Sequence, residues 1–132
     1  AFVRAYNYTI NDFLFLTPAD RFINTIRYEA GNRFRNQGLT NSFFALGTTL
    51  VRQQNRVPAN TDLAAAPNGY FLLQAELGTT FQIGQQPVEF GISANNILNT
   101  TYRDYLNRFR YFSDEMGRNI TFRLRIPLDF RK

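Results

Sequence analysis

The feature that most narrows the folds open to this chain is an alternation of apolar and polar residues sustained over long stretches. Over residues 120–130, Ile120, Phe122, Leu124, Ile126, Leu128 and Phe130 alternate with Thr121, Arg123, Arg125, Pro127 and Asp129. Successive strand side chains point to opposite faces, so this pattern predicts a strand with one apolar and one polar side. A helix would scatter the same apolar residues around its circumference. Residues 69–83 repeat the pattern, with Phe71, Leu73, Ala75, Leu77, Thr79, Phe81 and Ile83 opposite Gln74, Glu76, Gly78, Thr80 and Gln82. Residues 87–95 set Val88, Phe90, Ile92 and Ala94 against Glu89, Gly91, Ser93 and Asn95. The turn-like Gly84-Gln85-Gln86-Pro87 between these two stretches predicts a hairpin.

Upstream the alternation is weaker. Residues 22–31 place Phe22, Ile26, Tyr28 and Ala30 opposite Ile23, Thr25, Arg27 and Glu29, with Asn24 out of pattern. Residues 42–52 place Phe44, Leu46, Thr48 and Leu50 opposite Ala45, Gly47 and Thr49, and Phe43 breaks the alternation. Residues 2–10, with Phe2, Tyr6, Tyr8 and Ile10, complete an expectation of about six strands. The connections 53–68 and 96–117 are long, 84–87 is tight and 32–41 is turn-rich, so long and short connections fall at opposite ends of the sheet. Transmembrane β-barrels show that asymmetry.

At 132 residues the chain has the length of one domain, and it contains neither Cys nor His. Disulfides, thiol chemistry, His-dependent triads and the usual zinc and iron sites are thereby excluded. No cofactor, metal site or catalytic residue is expected, and enzymatic activity finds no support. The longest apolar run is Phe13-Leu14-Phe15-Leu16, far short of the ~20 residues a membrane helix needs. Basic residues outnumber acidic ones 15 to 10, and the only lysine is Lys132. Arginine is favoured where a planar, bidentate contact to carboxylate or phosphate matters. The chain starts at Ala1 inside an expected strand, which reads as a mature chain or a piece of one.

A one-sided apolar strand faces either a soluble core or lipid. Three features favour lipid. The alternating stretches would reach ~40–50 Å at ~3.3 Å per residue. Their polar faces carry Arg27, Glu29, Glu76, Glu89, Arg123 and Arg125, which suit a wet lumen. Aromatics gather near segment ends: Tyr70, Phe71, Tyr102 and Tyr105 at one end, Phe81 and Phe130 at the other. Six strands cannot close a ring, since the smallest bacterial barrels have ~8, and an open edge in hydrocarbon leaves backbone groups unpaired. The expectation is an all-β, antiparallel transmembrane β-barrel segment spanning 1–132. Its remaining strands would come from elsewhere.

The stretch Asn95-Asn96-Ile97-Leu98-Asn99-Thr100-Thr101-Tyr102, then Arg103-Asp104-Tyr105, then Arg108 to Asn119 with its Gly117-Arg118-Asn119, followed by an amphipathic strand, resembles the C-terminus of TonB-dependent outer-membrane receptors of Bacteroidetes-type bacteria. Arg56-Val57-Pro58 and Pro67-Asn68-Gly69-Tyr70 are similar to that family as well. The resemblance implies a Gram-negative outer-membrane location and a barrel of about 22 strands around a plug. This chain would supply its last six strands or so, with both termini periplasmic. It further implies uptake of a scarce small-molecule nutrient, such as a metal chelate, glycan or cofactor, with energy from the TonB complex acting through the plug. The expected partners are outer-membrane lipid, lipopolysaccharide, the remaining strands and the plug. The family's last strand ends in an aromatic residue that signals membrane insertion. Here the resemblance assigns that role to Phe122, Leu124, Ile126, Leu128 and Phe130, with Arg131 and Lys132 following.

Two other readings stay open at this stage: a structural or adhesive barrel subunit that assembles with other chains, and a soluble lipid-binding β-barrel. Among the loop residues, Arg103, Arg108, Arg110 and Tyr111 are candidate contacts for lipopolysaccharide phosphate or an anionic ligand. Asp104, Asp114 and Glu115 lack the spacing of a calcium loop, so ion pairs with Arg103, Arg108, Arg110 and Arg118 are expected of them. The Arg–aromatic mixture at 103–112 lacks a defined stacking platform, so no nucleic-acid partner is expected. Gly47, Gly78 and Gly91 are expected at bulges or where room is left for a plug.

Overall fold

The computed structural model describes residues 1–84 and 86–127. Leu128, Asp129 and Phe130, with the end of the expected insertion signal, lie outside the described residues. Among the described residues seven strands follow in order: β1 (Tyr6–Asn7), β2 (Asp12–Phe13), β3 (Arg21–Gly31), β4 (Leu39–Val51), β5 (Tyr70–Ile83), β6 (Gln86–Asn95) and β7 (Asn119–Arg125). Short 3₁₀ turns occupy Arg35–Gln37 and Arg108–Tyr111. No helix among the described residues is long and apolar enough to cross a membrane, which says nothing of strands.

β3 to β7 form one antiparallel sheet in sequence order, an up-and-down meander with β3 and β7 at its edges. No closed barrel is formed among the described residues. The register puts the alternation to use across the whole sheet. Tyr28, Phe44, Leu77, Ile92 and Phe122 share one row, and Ile26, Leu46, Ala75, Ala94 and Ile120 the next. The opposite face carries the row Arg27, Ala45, Glu76, Ser93, Thr121. A slip of one residue would invert every face, so this pattern pins the register.

The apolar face has no second layer over it among the described residues. Leu77, Phe122 and Leu124 are 45%, 68% and 62% exposed. Among the described residues the buried apolar ones are few and mostly small: Ala19, Ala45, Val51, Val88 and Tyr105. Hydrophobic burial within this chain is thus slight where the sequence is most hydrophobic.

Residues 2–10 do not join the main sheet. They form half of a separate hairpin, in which Tyr6 pairs with Phe13 and Asn7 with Asp12. Asparagine chemistry overrides the aromatic pattern here. Asn7 Oδ1 accepts from the Thr9 amide at 2.9 Å, and Asn11 adopts a left-handed φ of 53°. Tyr6 packs edge-on against Tyr8 and Phe13, both with ring centroids 5.4 Å apart.

On the side of β3 away from β4, Ala1 makes the backbone contact among the described residues. Its amine donates to the Arg21 carbonyl at 2.5 Å, and the Arg21 amide donates to the Ala1 carbonyl at 3.1 Å. Ala1 therefore lies at the long-connection end of the sheet, whereas β7 runs out at the short-turn end. The expectation that the chain enters the sheet at the short-turn end is corrected: with five strands in place of six, it enters β3 at the long-connection end.

Two bulges, between Glu29 and Gly31 and between Thr40 and Phe43, both sit at the short-turn end. Phe43 lies in phase with Ala45 and Gly47, which puts its ring on the polar face, where it covers Gly78 so closely that a Cβ on Gly78 would collide with it. The Arg27 guanidinium lies 3.5 Å from the centroid of the same ring. In the same way Gln74 covers Gly47. Those two glycines mark close side-chain approach within the sheet rather than bulges.

Candidate functional site

The long-connection end is where loops converge. Three carboxylates clip them together. Asp20, just before β3, accepts from both Nη atoms of Arg4 at 2.5 and 3.1 Å and from Arg56 Nη2 at 3.0 Å. The hydrogen bond from Arg4, aided by Arg56 against the cost of burial, holds its carboxyl down at about 2. Beside it the buried Gln54 donates to the carbonyls of Thr17 at 2.6 Å and Pro18 at 3.1 Å, and accepts from the Arg56 amide at 3.1 Å. These bonds fix the segment before β3 to the connection after β4.

Asp104 accepts from the Tyr70 hydroxyl at 2.7 Å and from Arg21 at 3.3 Å, joining the β6–β7 connection to the first residues of β3 and β5. Tyr102 stacks on Tyr70 with centroids 4.4 Å apart. Burial raises the Tyr102 hydroxyl above its ordinary value, with Glu115 and Asp104 adding to the shift.

Asp62 and Arg110 form the most enclosed pair, their side chains only 6% and 3% exposed. The Tyr111 hydroxyl donates to Asp62 at 2.5 Å, and the Arg110 guanidinium sits 4.8 Å from the Tyr105 ring centroid and 4.4 Å from that of Tyr111. Burial works to raise the Asp62 carboxyl; the bonds from Tyr111 and Arg110 outweigh it and leave the group below its usual value. Arg103 completes the clip, donating to the Arg110 carbonyl at 2.8 Å and to Asp114 at 2.5 Å.

The asparagines of the 95–102 stretch do mechanical work. Asn96 and Asn99 adopt left-handed φ values of 49° and 54°, a conformation that Asn tolerates better than most residues. Asn96, itself buried, accepts from the Thr100 amide at 2.8 Å and donates to the Thr100 carbonyl at 2.9 Å. Asn99 accepts from the Arg118 amide at 2.9 Å, tying the start of the connection to its end. Asn107 caps the Arg108–Tyr111 turn through the Phe109 amide and donates to Glu115.

Of the four loop residues singled out from the sequence, Arg110 and Tyr111 are turned inward onto Asp62. Arg103 is engaged with Asp114 but half-exposed, and Arg108 is exposed. The loop presents Arg108, Phe109 and Phe112 outward, the two rings 72% and 84% exposed. The expected pairing of loop acids with arginines is met by Arg103–Asp114, whereas Asp104 reaches back to Arg21 and Glu115 takes an amide. No group of three metal-ligating acids occurs among the described residues.

The expected outer girdle needs correction at this end. Tyr105 is buried beneath the loop, and Tyr70 lies in the row of Arg21 and Val51, on the face opposite Phe71. The aromatics on the apolar side there are Phe22, which Phe2 meets edge-on at 5.2 Å, and Phe71.

The polar face of the sheet forms the second candidate surface. Arg27, Glu29, Glu76, Glu89, Arg123 and Arg125 all lie on it. Arg27 pairs with Glu29 at 3.0 Å and Arg125 with Glu89 at 3.5 Å. Glu76 and Arg123 make no ion pair among the described residues, and both line a shallow depression of about 340 Å³ whose floor is Gly78 and Gly91. Phe122 and Leu124 of the expected insertion signal lie on the other, apolar face and are exposed, as is Ile126 just beyond β7. No protein family, curated protein or solved structure matches the chain.

Proposed function

We propose that this chain is part of the wall of an outer-membrane β-barrel, in a receptor that takes up a scarce nutrient with TonB-supplied energy. The observation that carries the wall reading is the uncovered apolar face of an up-and-down sheet whose other face is charged. β3 to β6 contain 11, 13, 14 and 10 residues, enough for tilted strands to cross a hydrocarbon layer, which takes ~9–11. The two connections at the Ala1 end are long, and the β5–β6 turn at the other end is tight, as in barrels with long outer loops and short periplasmic turns. The receptor assignment rests on the sequence resemblance. The arginine clips fit it, since loops that meet a ligand outside the cell must keep their shape in water. Nutrient contacts in this reading fall to Arg108, Phe109 and Phe112 on the outer loop, with Glu76 and Arg123 turned to the plug.

Single-cysteine labelling tests the reading, because the chain has no native cysteine. In intact Gram-negative cells, Arg108→Cys should react with a membrane-impermeant maleimide. Asn36→Cys should react only after the outer membrane is opened. Recovery of the protein in the soluble fraction, or the reverse labelling order, rejects the wall. Labelling as expected with uptake that persists in cells lacking TonB rejects the receptor and keeps the wall.

A further inference from the structure

The apolar face carries a groove beside the 32–38 turn. It measures about 300 Å³ and is lined by Tyr28, Phe34, Leu39, Phe44 and Leu77, an almost wholly apolar wall. It lies at the end of the sheet where both bulges occur, and a bulge bends the strand that carries it. At its margin Arg33 Nη1 donates to the Tyr28 hydroxyl at 2.7 Å, so a guanidinium is held at the rim of the apolar surface. The turn reads Asn32-Arg33-Phe34-Arg35-Asn36-Gln37-Gly38, with two arginines and no acid. Neither arginine makes an ion pair among the described residues. The nearest acid in sequence, Glu29, lies on the opposite face and is taken by Arg27 at 3.0 Å.

We propose that this groove holds one anionic glycerophospholipid, with an acyl chain along Phe44 and Leu77 and its phosphate on Arg33, Arg35 adding attraction from the same turn. The inference rests on the reading of the sheet as a membrane wall and adds a specific lipid to it. The chemistry selects the occupant. A soluble anion would engage the arginines and leave the groove open to water, and an uncharged apolar molecule would leave the arginines unanswered. A lipid with a cationic headgroup would bring like charge to the turn. A phosphodiester on an acyl chain satisfies both parts, and guanidinium is the side chain best shaped to hold it.

The experiment reconstitutes the full chain, in the protein that carries it, into vesicles of dioleoyl-phosphatidylcholine with a minor share of dioleoyl-phosphatidylglycerol. Carbonate extraction reads integration, and native mass spectrometry of the re-extracted protein reads the lipids retained. Wild type should integrate and retain phosphatidylglycerol in preference to phosphatidylcholine. Arg33→Ala with Arg35→Ala should lower that preference by roughly five-fold for each arginine removed. Arg33→Lys should keep most of it, which guards against a folding defect in the double variant. Phe34→Ser should reduce retention of both lipids. Integration without a lipid preference, or a preference unchanged in the double variant, overturns the lipid site and leaves the wall standing. Failure of wild type to integrate overturns both. Displacement of the retained lipid by inorganic phosphate alone would reduce the groove to an anion site and overturn the proposal.

Discussion

The sheet and the loop cap above it use the same residue types in opposite ways. In the sheet, ion pairs lie open: Arg125 and Glu89 are 72% and 52% exposed and stand 3.5 Å apart. In the cap, Asp62 and Arg110 are almost fully enclosed, and Asp20 holds two arginines. The contrast extends to apolar groups, since the sheet leaves its large side chains uncovered while the cap buries Tyr105. The cap is thus self-supporting through polar contacts made within the chain. The sheet leaves its apolar side uncovered among the described residues. A polar clip has directional bonds and keeps its geometry in water, whereas an apolar wall needs only a matching medium.

That contrast can be broken by unequal mutations. The largest effect is expected from Arg110→Ala, which strands the Asp62 carboxylate in an enclosed site and should cost about 3–5 kcal/mol in urea unfolding from detergent. Replacing Asp62 and Arg110 together by leucine should cost far less, because no lone charge remains. Equal losses from the single and double changes would show that the pair contributes through packing alone. Gly78→Val comes next: its side chain must displace Phe43 and the arginine stacked upon it, at about 1–3 kcal/mol. A thermal midpoint unchanged by this substitution would refute the ring-over-glycine contact.

Acid should distinguish the two regions through Asp20. Its carboxyl is depressed in the folded chain, so its contribution is complete above the ordinary value of 3.8 and is lost as pH falls through about 2. Asp20→Asn should remove that part of the acid dependence, and a titration of stability with identical slopes in both proteins would contradict the clip. The smallest effect is expected in the open sheet, where Glu89→Gln should change stability by less than ~1 kcal/mol. A larger loss there would mean that the polar face is far less wet than its exposure implies.

The sheet was legible in the sequence because its alternation is strict where both faces differ. The strands expected over 69–83 and 87–95 match β5 and β6 to within a residue. Legibility failed at asparagine and at bulges. Asn7 and Asn11 turned an apparent strand into a hairpin, and the extra residue between Thr40 and Phe43 is announced by nothing in the residue pattern. The cap was legible only in kind. Arginines and acids in one loop predict pairing, but Asp62 meets Arg110 from 48 residues away, and no local spacing announces that meeting. Arg110 and Tyr111 therefore read as outward contacts when their partner lay inside. Asn96 and Asn99 stood out in the 95–102 stretch, and their left-handed φ values give both a mechanical role there.

The strand count has one further consequence. With five strands in simple alternation, β3 and β7 run in the same direction. Identical sheets placed side by side about an axis along the strands would meet with parallel neighbours, the slightly weaker pairing. An antiparallel ring built on this sheet would thus need an odd number of further strands, and copies of the five-strand sheet alone would break the alternation at each junction.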